Sequence, residues 1–281
     1  MRPMEPITSS PLRRSNLRFA LHVCAVALFL LLALRSWGAE TAAPPLDQVL
    51  ARTGQRVATF LDQFGQVTCT EVVMQEKLRR DGQVDVKQQQ SFDLLTMVEL
   101  SGDELRLNES RLPLPPPRPA PRATTAPLLV TNGFSTLLLI FHPYYQPAFE
   151  FSRIADDTDA ATGRHWLRLQ FRHVKGMRSP TALLLHDRVY PIDLQGTAWI
   201  DADSGMIVKI EAELGSSLDD LGLRQFRSEV RYARVDFRGE SLWLPLSATV
   251  EVQTPRQHWR NVHNFTAYRR FSVSTVANAS Q

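Results

Sequence analysis

The most restrictive feature of this sequence is a long region, Arg164–Val273, in which apolar and polar residues alternate with a period of two. Such alternation is typical of β-strands with one buried face, because successive side chains point to opposite sides of a strand. At its centre, Asp201–Gly205 separates two β-rich arms, Gly196–Ile200 and Met206–Ile210. Asp and Gly favour a tight turn between strands. The region therefore predicts a run of antiparallel strands, in a protein that is mainly β (α+β).

The alternation continues on both sides of that hairpin. Outward positions are rich in Arg and Glu, so one face of the predicted sheet is solvated. Ser179–Leu194 contains Pro180 and Pro191 and is predicted to be a connection between strands. Besides the central hairpin, the predicted strands are Val67–Arg79, Ser91–Leu100, Glu104–Leu112, Leu167–Arg172, Phe226–Phe237, Leu242–Val252 and His258–Val273.

A helical pattern precedes the strands. Pro45 stands at its start and Gly65 just past its end, which are the positions where these residues favour helix boundaries. The polar face mixes both charges, which favours packing on a sheet over lying on a membrane. The apolar face has helical spacing and consists of Leu46, Val49, Leu50, Val57, Phe60, Leu61 and Phe64.

Two segments between the early strands and the long β region differ from their surroundings. Residues 112–127 carry seven prolines, which predicts an extended proline-rich loop, because proline cannot donate to a β ladder. Leu137–Phe141 is apolar on every side and is followed by Pro143, which predicts a short helix. An element apolar all round is either enclosed in the core or lines an apolar space.

Residues 1–39 have the order of an export signal. A basic stretch, Arg13–Arg18, precedes the apolar segment Phe19–Leu34, which is short for a bilayer core of ~30 Å. Small residues then favour cleavage near Gly38/Ala39. An uncleaved N-terminal anchor is the alternative. In both cases residues 40–281, predicted to form a single domain, lie in the periplasm or cell envelope.

The positive charge of the chain belongs to this leader. Without the five arginines and one glutamate of residues 1–39, the chain keeps 27 basic and 28 acidic side chains. A nearly neutral body gives no electrostatic reason to bind nucleic acid. Since 43% of the residues are apolar, the chain can bury a substantial core.

The sequence contains no recognisable catalytic or metal-binding motif. Phosphate-loop, nucleophile-elbow, zinc-protease and paired-cysteine motifs are all missing from it. Cys69 is the one cysteine outside the leader and is predicted to be a buried small residue in a strand. His165 and His173 share a strand but are too far apart to bind one metal, and His258 and His263 point to opposite faces. No cofactor and no metal ion is therefore predicted.

Four motifs together resemble a set of exported bacterial, acidobacterial-type proteins without an assigned function. They are Asn132–Pro143 with Gln146-Pro147, Gly196–Lys209, Leu242–Pro245 and Phe265–Val273. The order of a helix, a Trp-Ile-Asp hairpin and strands ending in Tyr-x-x-Phe also resembles the LolA/LolB-like lipoprotein-localisation fold. This resemblance spans residues 46–275. It implies a curved, incomplete antiparallel β-barrel with covering helices, whose concave face holds acyl chains. That family uses a positioned arginine in its lid mechanism, and we find no equivalent here.

The resemblance and the apolar segments together predict an exported, non-enzymatic envelope protein that binds a lipid or an acylated ligand in an apolar cavity. A curved sheet leaves a concave apolar face, which short apolar helices can cover without filling. The partner would be a lipid or the acyl chain of a lipoprotein. The predicted lining residues are Leu137, Phe141, Leu169, Phe171, Val208, Ile210, Leu244 and Leu246.

Two other functions stay open from the sequence. One is a periplasmic protein–protein interaction or sensor module, without a ligand, that uses the outer face and the proline-rich loop. The other is an enzyme whose site the sequence pattern does not reveal. A carrier is expected to contain an enclosed apolar cavity, an interaction module an exposed apolar patch, and an enzyme a cleft with perturbed titratable groups.

Overall fold

Within the residues that this computed structural model describes, the regular structure consists of one α-helix, thirteen strands and three 3-10 segments. The described residues are 44–101, 104–115, 131, 133–160, 162–185, 188–237 and 239–270. Helix α1 is Leu46–Phe64. The strands are β1 Val67–Leu78, β2 Val84–Ser101, β3 Glu104–Pro113, β4 Phe149–Arg153, β5 Asp157–Thr158, β6 His165–His173, β7 Ala182–Leu185, β8 Arg188–Pro191, β9 Leu194–Asp201, β10 Ile207–Leu214, β11 Gln225–Phe237, β12 Glu240–Gln253 and β13 His258–Arg270. Three 3-10 segments are Phe134–Phe141, Gln146–Ala148 and Asp219–Leu221.

Within the described residues, eleven strands form one antiparallel sheet. Their order is β3-β2-β1-β13-β12-β11-β10-β9-β6-β4, with β5 beside β6. The terminal strands β3 and β4 do not pair with each other in this order, so the sheet is a curved barrel that stays open. The prediction of a mainly β, incomplete antiparallel barrel is confirmed. The described residues from Pro45 onward form one compact unit.

One face of the sheet is covered by α1 and by the 3-10 segment Phe134–Phe141, which we call the cover segment. Helix α1 begins after Pro45 and ends before Gly65, as the sequence predicts. Its buried face carries Phe60, whose ring lies 5.2 Å from that of Phe64 and 5.9 Å from that of Tyr232 on β11. The helix is thereby held on the sheet by apolar packing, which is the main source of helix stability in proteins.

The central hairpin forms where the sequence predicts it. The Asp201 carboxylate accepts hydrogen bonds from the Ser204 backbone N–H at 2.8 Å and from the Ser204 hydroxyl at 2.7 Å. Gly205 has a φ of +73°, a left-handed conformation that favours glycine. This turn joins β9 to β10 and fixes which residues of the two strands face inward.

In β10 and in β12 the strict alternation fails, because each of these two strands carries one extra residue. In β10 the pairing with β9 passes from Ile207 to Lys209, so Val208 is the additional residue. In β12 the pairing with β11 passes from Ser247 to Pro245, so Leu246 is the additional residue. A β-bulge of this kind shifts the side chains on one side of it to the opposite face. Ile207 is therefore buried, and Leu246 is 51% exposed.

Three local predictions need correction or stand outside the described residues. Ser179–Leu194 is not only a connection, because β7 and β8 form a separate two-stranded sheet inside it. The predicted early strand Ser91–Leu100 is part of the longer β2. The leader, residues 1–39, and residues 116–127 of the proline-rich loop lie outside the described residues, and the start of that loop, Leu112-Pro113, belongs to β3.

Candidate functional site

Six of the eight residues predicted to line an apolar space lie together on the covered face. Two belong to the cover segment, two to β6, one to β10 and one to β12, and all six are buried. The bulges place the other two differently, since Val208 is half-buried and Leu246 is exposed. The six residues are Leu137, Phe141, Leu169, Phe171, Ile210 and Leu244.

Aromatic rings pack the covered face beneath the second half of the cover segment. The ring of Phe141 lies 5.0 Å from that of Phe151 and 6.2 Å from that of Phe171. The side-chain amide of Gln146 donates to the backbone oxygens of Leu50 at 2.9 Å and Phe141 at 2.7 Å. These bonds join α1 to the end of the cover segment, so this part of the face is well packed.

The other end of the cover segment borders a cleft with a volume of about 380 Å³, whose lining is partly apolar and partly polar. One wall of the cleft is the edge strand β3. The opposite wall is formed by residues at the start of β7, by the residue Ile192 before β9, and by the start of β11. The rings of Phe134 and Phe226 stack at 5.9 Å on its wall. We call it the edge cleft. Its lining is Leu107, Asn108, Glu109, Gly133, Phe134, Leu137, Pro180, Thr181, Ala182, Ile192 and Phe226.

A buried polar network occupies the covered face on the side of β1, β3 and β13. The Glu71 carboxylate lies 2.7 Å from His263 Nδ1 and accepts hydrogen bonds from the Arg111 guanidinium at 2.6 and 2.9 Å. His263 Nε2 lies 2.7 Å from the Thr131 hydroxyl, which also accepts a bond from the Asn261 amide at 3.0 Å. The covered face therefore has an apolar half and a hydrogen-bonded, charged half.

Glu109 extends the network to the start of the cover segment. Its carboxylate lies 3.2 Å from Arg111 and accepts hydrogen bonds from the Gly133 N–H at 2.9 Å and the Ser135 hydroxyl at 3.1 Å. Since Glu109 also lines the edge cleft, one carboxylate connects the buried network, the cover segment and the cleft.

The charges of this network are stabilised by their partners. Burial raises the pKa of Glu71, but hydrogen bonds and charges from His263 and Arg111 outweigh it, so the pKa lies below its usual value. Burial lowers the pKa of Arg111, and Glu71 and Glu109 outweigh that effect, so it is raised. Both groups therefore stay charged at neutral pH, as a buried ion pair requires.

The row Thr131, His263 and Glu71 has the order of a hydroxyl, an imidazole and a carboxylate found at nucleophilic active sites. The Thr131 hydroxyl is also held by Asn261, and Glu71 is also bound by Arg111. All three members of the row are buried, and none lines the clefts described here. The hydrogen bonds with His263 and Asn261, both on β13, hold Thr131 in a fixed position over that strand.

Sequence analysis missed this network, although one signal was present. Glu71 is an inward residue of β1, on the same face as Val67, Cys69 and Val73, and a carboxylate at an apolar position needs a buried partner. That partner, His263, lies 192 residues away in the sequence. Only the pairing of β1 with β13 brings the two together.

Cys69 is buried two residues before Glu71 on β1, as the sequence predicts. It is 1% exposed, and burial, followed by the charge of Glu71, raises the pKa of its thiol to about 12. Since the thiolate is the reactive form, we expect iodoacetamide at about pH 8 to leave Cys69 unmodified in the native protein. Peptide mass mapping would check this, with complete modification in guanidinium as the control. Rapid native modification would contradict the burial of Cys69.

Two further properties apply to the described part of the chain. No group of three or more His, Cys, Asp or Glu side chains there is arranged to hold a metal ion. No helix in the same residues is long and apolar enough to cross a membrane.

Solved structures with a similar fold are distant in sequence. A LolA superfamily protein from Nitrosomonas europaea is 10% identical, with 79% of this chain and 94% of that chain covered and a TM-score of 0.37. A DUF1329 family protein from Desulfovibrio piger is 12% identical, with 79% and 94% covered and a TM-score of 0.40.

No protein-family model and no curated protein matches this chain.

Proposed function

We propose that this protein binds the acyl chain of a lipid or of an acylated ligand, without catalysing a reaction, and that the chain enters at the edge cleft. The observation that supports this is a partly apolar cleft of about 380 Å³ at the open side of the barrel. Its volume is in the range of small-molecule sites, and seven of its eleven lining residues are apolar, beside the polar Asn108, Glu109 and Thr181. Leu137 belongs to both the cleft and the covered face.

The cover segment supplies a means of access to the covered face. It is a 3-10 helix, whose hydrogen-bond geometry is poorer than that of an α-helix, and Thr136 inside it has the non-helical angles φ −113° and ψ 19°. We propose that the cover segment moves away from the sheet when an acyl chain enters. The six buried residues Leu137, Phe141, Leu169, Phe171, Ile210 and Leu244 would then contact the ligand.

The site of action in this proposal is the cell envelope. The proposal takes residues 1–39 as a signal peptide cleaved near Gly38/Ala39 or as an N-terminal anchor, and residues 40–281 as one domain outside the cytoplasm. Acyl chains are available there from membrane lipids and lipoproteins. Nucleic acid is no partner in this proposal, because the charge of the body is balanced.

The edge cleft offers a direct test by substitution. We expect the full chain, expressed for export and purified without detergent, to carry lipid masses in native mass spectrometry. Leu107→Arg places a long, hydrated guanidinium in the cleft and is expected to abolish this mass, because the side chain fills the space that an acyl chain would occupy and replaces an apolar contact by a charged one. Leu112→Arg is the matched control, since Leu112 lies on the same strand but is 64% exposed.

The outcomes separate this proposal from its main alternative. A clean protein mass that persists after incubation with fatty acid would contradict acyl binding. Loss of lipid in both variants would contradict the edge cleft as its location. The alternative is an interaction or sensor module, and the observation that favours it is the exposed Leu112 on the edge strand β3, where a partner strand could pair.

A further inference from the structure

Three arginines surround a second cleft, which shares no lining residue with the edge cleft. Its volume is about 410 Å³, and it lies between α1, the β9–β10 turn and the hairpin of β11 and β12. Arg56 comes from α1, Arg164 from the residues before β6, and Arg234 from β11. The other lining residues are Thr59, Gln63, Asp201, Asp203, Ser204, Met206, Ser241, Leu242 and Trp243.

The wall of this cleft is fixed by hydrogen bonds that do not use up its cationic groups. Arg56 Nε donates to the Ser204 backbone oxygen at 3.0 Å, and the neighbouring Arg52 donates to the Ala202 oxygen. The Trp243 indole donates to the Ile207 oxygen at 2.7 Å. Helix α1, the turn and β12 therefore hold a defined shape around the cleft.

Arg164 and Arg234 differ from the arginines on the outer face of the sheet. Within the described residues, neither side chain makes a hydrogen bond or an ion pair. Most of their neighbours on the strands do make such pairs, and those pairs include Arg172 with Glu150 at 2.6 Å, Arg227 with Glu213 at 3.6 Å, Arg231 with Glu229 at 2.6 Å and Arg270 with Glu240 at 2.7 Å. Two guanidinium groups that face one cleft without a carboxylate partner are available to bind an external anion.

The carboxylates of the cleft do not cancel this charge. Asp201 is 6% exposed, and its carboxylate is occupied by the Ser204 backbone N–H and hydroxyl. Asp203 is exposed at the tip of the turn. The lining thus carries three cations against two carboxylates, one of which is engaged in the turn.

We propose that this cleft binds a phosphate group, with Arg56, Arg164 and Arg234 as its cationic ligands. Guanidinium groups bind phosphate oxygens through paired, charge-assisted hydrogen bonds, and they are less strongly hydrated than ammonium groups. The side-chain amide of Gln63 supplies a further donor, whereas the hydroxyls of Thr59 and Ser241 already donate to Gln55 and Asp236. The apolar floor formed by Leu242 and Met206 suits the organic part of a phosphate ester, in solution or in a lipid headgroup.

Two probes distinguish the sources of the phosphate. Calorimetry of the full chain with inorganic phosphate tests a free anion. Sedimentation with vesicles of phosphatidylcholine, with or without phosphatidylglycerol, tests a lipid headgroup. Saturable binding of inorganic phosphate supports a soluble phosphate ligand, and binding to the anionic vesicles alone supports a headgroup.

Substitution assigns the binding to this cleft. We expect Arg164→Gln with Arg234→Gln to weaken binding of the effective probe by about tenfold or more, because charge-assisted hydrogen bonds are lost. Arg227→Gln is the matched control, since Arg227 lies on β11 like Arg234, is exposed, and pairs with Glu213. It is expected to leave binding unchanged.

Three results would overturn the proposal. The first is no saturable binding of either probe, and the second is an equal loss of binding in Arg227→Gln. The third is unchanged binding in the double variant. Because the edge cleft shares no residue with this cleft, failure here leaves acyl binding standing, and failure of acyl binding leaves phosphate binding standing.

Discussion

Replacing Glu71 by Gln is expected to lower the free energy of unfolding by about 3–5 kcal/mol, because it removes the carboxylate from a fully buried ion network. Glu71 is 0% exposed and binds both Arg111 and His263. The neutral amide keeps the size of the side chain but leaves the Arg111 guanidinium short of one charged partner. Chemical denaturation monitored by circular dichroism would measure the loss.

The matched control for this prediction is an exposed ion pair on the same sheet. Glu213→Gln removes the partner of Arg227, at 3.6 Å and with both side chains largely exposed, and should cost less than about 1 kcal/mol. Equal effects of the two substitutions would contradict a stabilising role for the buried network.

The difference in stability between the wild-type protein and Glu71→Gln depends on pH, and the direction of this dependence follows from the pKa of Glu71. The pKa of Glu71 lies below its usual value near 4.5. Its charge therefore contributes stability fully at pH values above 4.5, and this contribution is lost as the pH falls through the lowered pKa of the folded state. The wild-type protein and Glu71→Gln should thus approach each other in stability only in acid.

Replacing Gly196 by Ala is expected to destabilise the protein by about 3 kcal/mol, because the sheet leaves no room for a methyl group there. A Cβ atom at this position of β9 would overlap the backbone oxygen of Glu211 and lie 2.7 Å from the Phe171 ring and 2.9 Å from Ala212 Cα. Two of these neighbours are backbone atoms of β10, which cannot move without breaking the β9–β10 ladder.

Gly215→Ala controls for the general effect of replacing a glycine in this hairpin. Its nearest non-neighbouring atom would be the Asp193 oxygen at 3.5 Å, an ordinary contact. We expect a change within about 0.5 kcal/mol for this substitution. Thermal unfolding of both variants would test the difference, and similar melting temperatures would show that the strands can separate at Gly196.

The parts of the fold that depend on local pattern could be predicted from the sequence. The apolar face of α1 and its boundaries at Pro45 and Gly65 follow from helical spacing. The turn at Asp201 follows from residues that bond within the turn itself. In each case the contacts that decide the structure lie within a few residues of one another.

The parts that were missed depend on partners far away in the sequence. Val208 and Leu246 fit an alternating pattern, and only the register against β9 and β11 shows that each is an extra residue. Likewise, no local pattern relates Glu71 to Arg111 or to His263. The edge cleft could not be predicted either, because it is formed by β3, the cover segment and β11 together.

The pairing of β1 with β13 has a consequence for how the protein reaches its folded state. The hairpins β1–β2–β3 and β9 to β12 are built from neighbouring strands, whereas β13 joins the first group to the second. Bringing such distant segments together costs loop entropy before any contact repays it, so this step is slow.

Until β13 is available, β1 presents an unpaired edge and Glu71 lacks His263. An unpaired edge is a template for association with other chains. An incompletely folded chain is therefore most exposed to aggregation in the interval before its last described strand docks. Any factor that shields the edge of β1 during that interval would raise the yield of folded protein without altering its final stability.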